Sequence, residues 1–454
     1  MKSNYQGKYM KRPLILSIAL TGVMHFSLAN AAGQGLLDIY NKAVEKDPVL
    51  AGAQFAADAG KEKSTQGLSL LLPRVSVSAD ASYDYSNIQY GNNLFNLPDS
   101  KTLSDSRSYG MQVSQPLFRA ADIKAYSQSK IVTLQTEIQL KIAEQDLILR
   151  VSQAYFDVLS ANENLQVSNS QSKAFKESLE RAKLTFKVGT STKTDKLEAQ
   201  ARYDLAKANE ISASNQLAIA KQSLVSIIGE IPSTLKKLKD NAALTKLKAN
   251  NIQYWVDTAI ARNLQLGLVN TGYKISKFEV QKLKSDRLPT LDLVASASKS
   301  NRYNSFLDKN IDTTNASINL QLAMPIYTGG LVSSRIREAE SLKFQQQQNK
   351  INIQRQIVLQ AQRAYLNSYN GLQQVEALQQ ALKSSNSALE ATQKGLEVGV
   401  RTNLDLLDSQ QQFFSTERDF TIAKYNYLLN VLNLKAAAGI LSQDDIADMD
   451  SLLN

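Results

Sequence analysis

The chain contains no cysteine, a single histidine, and few glycine and proline residues, 19 and 8 among 454. Without cysteine there is no disulfide framework, thiolate nucleophile, cysteine-bound zinc or lipid-modified cysteine. The scarcity of glycine and proline favours long uninterrupted helices and strands. Hydrophobic residues make up 43% of the chain and charged residues 21%, which argues against both a disordered chain and a polytopic helical membrane protein.

The N-terminus has the three parts of an export signal. It begins with four basic residues, Lys2, Lys8, Lys11 and Arg12. An apolar run at 14–29 follows, and Ala-Asn-Ala at 29–31 supplies small residues for cleavage, so we predict a signal peptide over residues 1–31. A membrane anchor is the alternative, but the run is short for a spanning helix and no basic stop follows it. Because the single histidine is His25, cleavage would leave neither histidine nor cysteine, which argues against a secreted enzyme.

The rest of the sequence is a tandem repeat. The tripeptide AYF at 154–156 recurs as AYL at 364–366, an offset of 210 residues, and the same offset separates two later Val-Gly pairs. One offset held over most of both halves predicts two copies of one structural unit. The predicted units are residues 32–240 and 241–454.

Each unit carries two segments in which apolar and polar residues alternate. These segments are 75–85 and 109–117 in the first unit, and 290–299 and 316–326 in the second. A period of two predicts β-strands with one apolar and one polar face. They would form hairpins at about 75–118 and 290–327, with loops at 86–105 and 301–315. Tilted strands of this length span a bilayer, although a soluble antiparallel sheet with one wet face shows the same alternation. The export signal favours the membrane interpretation.

Four strands per chain are too few to seal a membrane span. An open sheet edge would leave N–H and C=O groups unsatisfied in lipid, and about eight strands is the lower limit for a closed barrel. If these strands cross a bilayer, several chains must therefore share one barrel. Two, three or four chains would supply eight, twelve or sixteen strands.

Helical segments fill most of the remainder. Apolar spacing predicts short helical pieces at 36–71 and 256–287, long helices at about 119–187 and 331–397, and return helices at 194–228 and 404–438. Positions 147, 151, 154, 158, 161 and 165 follow the spacing of a coiled-coil seam. Each long helix ends at a Val-Gly pair, and Thr192 with Asp195 and Thr402 with Asp405 have the spacing of capping boxes.

Four sequence blocks carry a family resemblance. They are LLDIYNKAVEKDPVL, LLPRVSVSADASYDYS, EVGVRTNLDLLDSQQQFF and YNYLLNVLNLKAAAG. In this order they make the sequence resemble the TolC-type outer-membrane efflux proteins. The resemblance implies a mainly α fold with a transmembrane β part. Three identical chains would form one twelve-stranded β-barrel, continuous with a long α-helical coiled-coil barrel.

The resemblance also implies a location and a set of partners. The barrel would lie in the outer membrane of a Gram-negative bacterium, in contact with its lipid, and the helical part in the periplasm. The partners implied are a periplasmic adaptor (membrane fusion) protein and an inner-membrane RND, ABC or MFS pump. Some relatives carry an N-terminal lipid on cysteine, and the absence of cysteine places this chain with the unlipidated members.

Asp405 and Asp408 lie three residues apart on a predicted helix and therefore face the same way. In the resembled family, the matching aspartates point into the pore at the periplasmic constriction. The resemblance thus implies two rings of carboxylates, which would attract cations and whose mutual repulsion would raise some of their pKa values. The alternative is two ordinary carboxylates at a helix start, favoured by capping and by the helix dipole.

The resembled family also closes its periplasmic tip by polar links between the two units. The matching positions are Asp195, Thr194 and Arg401, so an Asp195–Arg401 ion pair is expected; the alternative for Arg401 is a solvated surface charge. A tyrosine of the family falls at Leu396, so one hydroxyl link is missing here. The candidates for compensating it are Lys193 and Glu198. The resemblance further implies adaptor contacts at two turns of the tip, formed by Val188, Gly189 and Thr190 and by Val398, Gly399 and Val400.

We therefore predict a passive exit duct for small toxic compounds or secreted proteins, with no catalytic residue, cofactor or metal. The sequence contains no GxxxxGK[ST] phosphate loop, so a partner must supply the energy. The alternative is a periplasmic coiled-coil adaptor or scaffold that does not conduct, but no lipoyl-like or small β-barrel domain is recognisable between the helices. Nucleic acid is not an expected partner, because lysines are scattered among glutamates and glutamines.

Overall fold

The computed structural model describes residues 33–89, 100–239, 244, 247, 249–304 and 309–454. The predicted signal peptide and the predicted junction of the two units at 240–241 lie outside these residues. Within them the chain forms nine α-helices and four β-strands. In chain order they are α1 (Leu36–Lys46), α2 (Pro48–Ser69), β1 (Arg74–Ile88), β2 (Ser100–Phe118), α3 (Ala120–Lys187), α4 (Lys193–Ile228), α5 (Ile252–Arg262), α6 (Leu264–Ser285), β3 (Thr290–Asn304), β4 (Lys309–Ala323), α7 (Leu331–Glu397), α8 (Asn403–Ala437) and α9 (Gln443–Asp450). Among the described residues, no helix combines the length and the apolarity needed to cross a membrane.

Two helices, α3 and α7, dominate the structure. They contain 68 and 67 residues, and each is about 100 Å long at a rise of about 1.5 Å per residue. Helix α4 packs along α3, and α8 packs along α7, so each half of the chain contributes one antiparallel helical pair. The long helices and return helices predicted from the sequence are confirmed, with ends that differ by at most one residue.

Both shorter helical segments are broken where the sequence predicted a single piece. The first divides at Asp47, whose backbone is extended (φ −70°, ψ 118°), because Pro48 has no N–H to donate. Asp47 Oδ1 accepts a hydrogen bond from Leu50 N at 2.7 Å, and the Arg150 guanidinium donates to both carboxylate oxygens at 2.8 and 3.0 Å. These hydrogen bonds hold the pKa of Asp47 below its ordinary value, and the bond from Arg150 contributes most. The second segment divides at Asn263, whose side chain caps α6 in the same way.

The four strands form one antiparallel sheet in the order β1-β2-β3-β4. The prediction of four strands in two hairpins is confirmed, but the predicted loops at 86–105 and 301–315 are too long, because β1 and β2 enter the first and β3 and β4 the second. Polar residues continue these strands because backbone pairing needs no apolar side chains. Strand β4 also ends before the predicted 326, since Pro325 cannot donate a ladder hydrogen bond.

The cross-strand registers bring the apolar positions of all four strands to one face of the sheet. Val77, Met111, Ala297 and Ala316 form one row of this face. Mainly polar side chains occupy the opposite face, where serine hydroxyls meet across strand pairs at 2.7 and 3.0 Å. Strands β1 and β4 are the two edges of the sheet and are exposed along their whole length. One chain therefore presents an apolar sheet face with two unpaired edges.

The main hydrophobic core lies where α1, α3, α4, α8 and α9 meet. Its largest fully buried side chains are Tyr155 and Phe156 of α3 and Tyr425 and Tyr427 of α8. The Tyr155 hydroxyl donates to the backbone oxygens of Gln34 and Lys236, at 3.1 and 2.9 Å. Because the core draws on both halves of the chain, it fixes the two helical pairs relative to each other and so positions their distant tips.

Candidate gate at the helical tip

Each helical pair turns at a glycine with a left-handed backbone. Gly189 has φ +80° and Gly399 has φ +81°, a region that favours glycine because other residues have a Cβ. Beside them Val188, Val398 and Val400 are 72–75% exposed. The predicted turns therefore exist, and they present apolar side chains to solvent at the end of the molecule.

A capping box starts each return helix immediately after its turn. In α4, Thr192 N donates to Asp195 Oδ2 at 2.9 Å, and Asp195 N donates to Thr192 Oγ1 at 3.1 Å. In α8, Thr402 N and Thr402 Oγ1 both donate to Asp405 Oδ2 at 2.9 Å, and Asp405 N donates back at 3.2 Å. Both predicted capping boxes are confirmed.

The capping bonds lower the pKa values of both aspartates. For Asp405 the main cause is the backbone N–H of Thr402, followed by the Thr402 hydroxyl and the nearby charge of Arg401. For Asp195 it is again the backbone hydrogen bond from Thr192, with Ser191 and the Thr192 hydroxyl adding to it. The raised pKa values expected from mutual repulsion concern carboxylate rings formed by several chains, and for such rings they stay a prediction. Within one chain, the capping described as the alternative for Asp405 is present.

Asp408 has a partner that the sequence did not predict. Arg202 Nη2 of α4 donates to Asp408 Oδ1 of α8 at 2.7 Å, forming an ion pair between residues 206 positions apart. The repeat offset pairs Asp408 with Glu198, which lies on α4 one turn before Arg202. The nearness of Arg202 to Glu198 in the sequence was the one hint of this ion pair, but residue spacing alone does not reveal which helices are in contact.

The expected Asp195–Arg401 ion pair is not formed within the chain. Asp195 instead accepts from Ser191 and Thr192, and Arg401 folds back over α7, where its Cγ would lie 2.7 Å from a Cβ on Gly395. Thr194 is exposed, and Leu396 is half-buried and has no hydroxyl to donate. Lys193 and Glu198, the suggested substitutes, also form no ion pair in the described part of the chain. For the assembled channel, the Asp195–Arg401 pair stays a prediction.

A small apolar cluster seats α8 against the first helical pair near the tip. Leu407 is fully buried among Phe175, Leu179 and Ala182 of α3 and Ala199 and Ala206 of α4. Two polar contacts continue the same interface, Gln171 with Gln411 at 3.0 Å and Ser178 with Gln410 at 3.3 Å. The structure thus joins the two units near the tip through one apolar side chain, amide contacts and the Arg202–Asp408 pair.

The sequence profile of the outer membrane efflux protein family matches residues 39–230 and 255–440. The chain belongs to this family. It is 31% identical to the outer membrane protein TolC of Vibrio cholerae serotype O1 over 97% of both chains. It is 29% identical to the proteases secretion protein PrtF of Dickeya chrysanthemi over 97% of this chain and 95% of that one.

Solved structures share its fold. The channel protein CusC superposes with a TM-score of 0.77 and 17% identity over 94% of this chain and 99% of that one. VceC of Vibrio cholerae superposes with a TM-score of 0.74 and 14% identity over 89% and 96%.

These matches confirm the resemblance and the fold class predicted from the sequence. The chain is an outer-membrane efflux channel protein whose helical part lies in the periplasm. The family consists of channel proteins rather than enzymes. None of the matches supports the alternative of a non-conducting adaptor or scaffold.

Proposed function

We propose that three copies of the chain form one passive duct across the outer membrane and periplasm. In this assembly the three sheets close into a twelve-stranded barrel, and the helical pairs continue it as a tunnel. The duct has no active site and takes its energy from partner proteins.

The sheet is the observation that carries this proposal. Its apolar positions occupy one face on all four strands, and β1 and β4 leave their outer edges unpaired. An apolar face is stable against lipid, but unpaired edges are not, because their N–H and C=O groups lack partners there. Pairing β1 of one chain with β4 of the next satisfies both requirements.

The tip is the proposed gate. Asp405 and Asp408 would form the cation-binding constriction, and Thr194, Asp195 and Arg401 would link neighbouring chains when the tip is closed. The short distance from each capping box to its turn supports this, because a shift of α8 would move the turn and the carboxylates together. The same exposed turns, at 188–190 and 398–400, would bind the periplasmic adaptor.

The relatives support a role in both efflux and secretion. PrtF is a proteases secretion protein and AprF of Pseudomonas aeruginosa an alkaline protease secretion protein, and this chain is 29% and 28% identical to them. We propose that the duct serves type I secretion of proteins and export of small toxic compounds. A periplasmic adaptor and an RND, ABC or MFS pump of the inner membrane would drive it.

Cross-linking tests the shared barrel directly, because the chain has no native cysteine. Ser78→Cys in β1 is combined with a cysteine placed in turn at each polar-face position of β4. A linker of about 8 Å cannot bridge β1 and β4 of one chain, which are three strand spacings or about 14 Å apart. We expect one β4 register to give covalent trimers, with each single-cysteine variant as control. Products that stop at dimers, or no cross-linking at any register, would contradict the trimer.

Planar bilayer recording tests the duct itself. Purified protein should conduct and should prefer cations, because the proposed constriction carries carboxylates. Absence of conductance would refute the duct, and preference for anions would refute the aspartate constriction.

A further inference from the structure

The ion pair between Arg202 and Asp408 places the two proposed pore aspartates in different electrostatic environments. Arg202 lies on α4 and Asp408 on α8, their side chains are 34% and 58% exposed, and their charged atoms are 2.7 Å apart. Asp405, three residues earlier, forms its hydrogen bonds with Thr402 and no ion pair within the described residues. One aspartate of each chain is therefore compensated by a cation in direct contact, and the other is not.

We propose that Arg202 is a charge-selectivity determinant of the pore, which neutralises Asp408 and confines the multivalent-cation site to Asp405. This inference rests on the proposed pore. Of the two proposed rings, the one at Asp408 would carry three carboxylates and three guanidinium groups in direct contact. The ring at Asp405 would carry three carboxylates with no guanidinium hydrogen-bonded to them.

The repeat indicates that an ion pair of this kind forms between the two units of one chain but not between neighbouring chains. The counterpart of Arg202 in the second unit, 210 residues further on, is Gln412, and the counterpart of Asp408 in the first unit is Glu198. In the proposed trimer, the contact between neighbouring chains that corresponds to Arg202–Asp408 would thus bring Gln412 towards Glu198. Gln412 carries no charge, and it donates to Thr416 on its own helix. The trimer therefore contains three such ion pairs, one within each chain.

Block by a trivalent cation measures the uncompensated charge of the constriction. Hexaamminecobalt(III) is added to the periplasmic side of channels in a planar bilayer. Arg202→Gln removes three positive charges from the proposed ring, and we expect the blocking concentration to fall by about tenfold at physiological ionic strength. Cation over anion permeability should rise as well. Arg202→Lys keeps the charge and should restore the wild-type values.

Two further variants separate this effect from a general change in charge or folding. Lys207 lies on the same helix and pairs with Glu210 at 2.7 Å, so Lys207→Gln removes one positive charge per chain away from Asp408 and should leave the block unchanged. If Arg202 acts by compensating the charge of Asp408, the double variant Arg202→Gln with Asp408→Asn keeps the net charge of this ring at zero and should block as the wild type does.

The outcomes distinguish this inference from the proposed function. Normal conductance with the same block in wild type, Arg202→Gln and Lys207→Gln would overturn the inference and leave the duct intact. A double variant that blocks as strongly as Arg202→Gln alone would also overturn it. No conductance in wild type would refute the duct, and this inference with it. A stronger block that disappears in the double variant would establish Arg202 as the determinant.

Discussion

We expect Asp405 to have two roles, one in capping α8 and one in binding cations, and two substitutions separate them. Its carboxylate closes the capping box of α8, and its charge would form the cation site. Asp405→Asn keeps an acceptor oxygen for the N–H and hydroxyl of Thr402 but removes the charge. Asp405→Ala removes both, so the first turn of α8 should fray. The two variants should therefore lose cation block alike, while only the alanine variant loses thermal stability.

The size of the loss follows from the number of charges. In a trimer, either substitution removes three carboxylates from one ring. For a trivalent cation about 8 Å from each carboxylate, screened at physiological ionic strength, this weakens block by about tenfold to a hundredfold. The Asp408 carboxylates should not replace the lost cation site, because each is already paired with the guanidinium of Arg202.

The assay is titration of hexaamminecobalt(III) from the periplasmic side of single channels, together with thermal unfolding of the purified oligomer. Asp58→Asn is the matched control, because this substitution also removes one negative charge per chain, but at an exposed position on α2. Wild-type block in Asp405→Asn would refute the charge argument. Block lost only in Asp405→Ala would show that the cap, and not the charge, matters.

Three further predictions concern the tip and the core. Arg401→Ser should raise bilayer conductance if Arg401 links neighbouring chains in the closed tip, and unchanged conductance would remove it from the gate. Val398→Asp with Val400→Asp should stop a periplasmic adaptor from copurifying while the oligomer persists; Val49→Asp, at another exposed valine, is the control, and undiminished copurification would clear the turn of this role. Because its arginine partner lowers the pKa of buried Asp47, this carboxylate stabilises the fold at neutral pH, and that stability should be lost as pH falls below about 4. Asp47→Asn should cost about 2 kcal/mol at pH 7 and flatten the acid limb of a thermal-unfolding series; an unchanged limb would contradict the assignment.

The sequence predicted the regular elements because their periodicities are local. Alternation located all four strands, and apolar spacing located the four longest helices to within one residue. It failed at the strand ends, where polar residues on both faces erase the period without ending the backbone pairing. It also missed the break at Asp47, because that break depends on a distant arginine as well as on the adjacent proline.

Contacts between distant elements were harder to predict. The capping boxes are local, and the sequence predicted them. The Arg202–Asp408 pair and the burial of Leu407 depend on contacts between helices some 200 residues apart in the sequence. These contacts also require each helix to have one particular rotation about its own axis. Neither rotation nor contact follows from the spacing of one helix, and family resemblance instead suggested a pair between Asp195 and Arg401 that one chain does not form.

The two units also show why a repeated motif is a poor guide to the pore. Asp195 and Asp405 close equivalent capping boxes and both have lowered pKa values, so the box follows from starting a helix after a tight turn. The shared capping box is therefore explained by folding alone. The charge chemistry differs where they diverge, at Arg202 in the first unit and Gln412 in the second. In a duct whose wall is built from two related units, such differences decide which contacts carry a net charge.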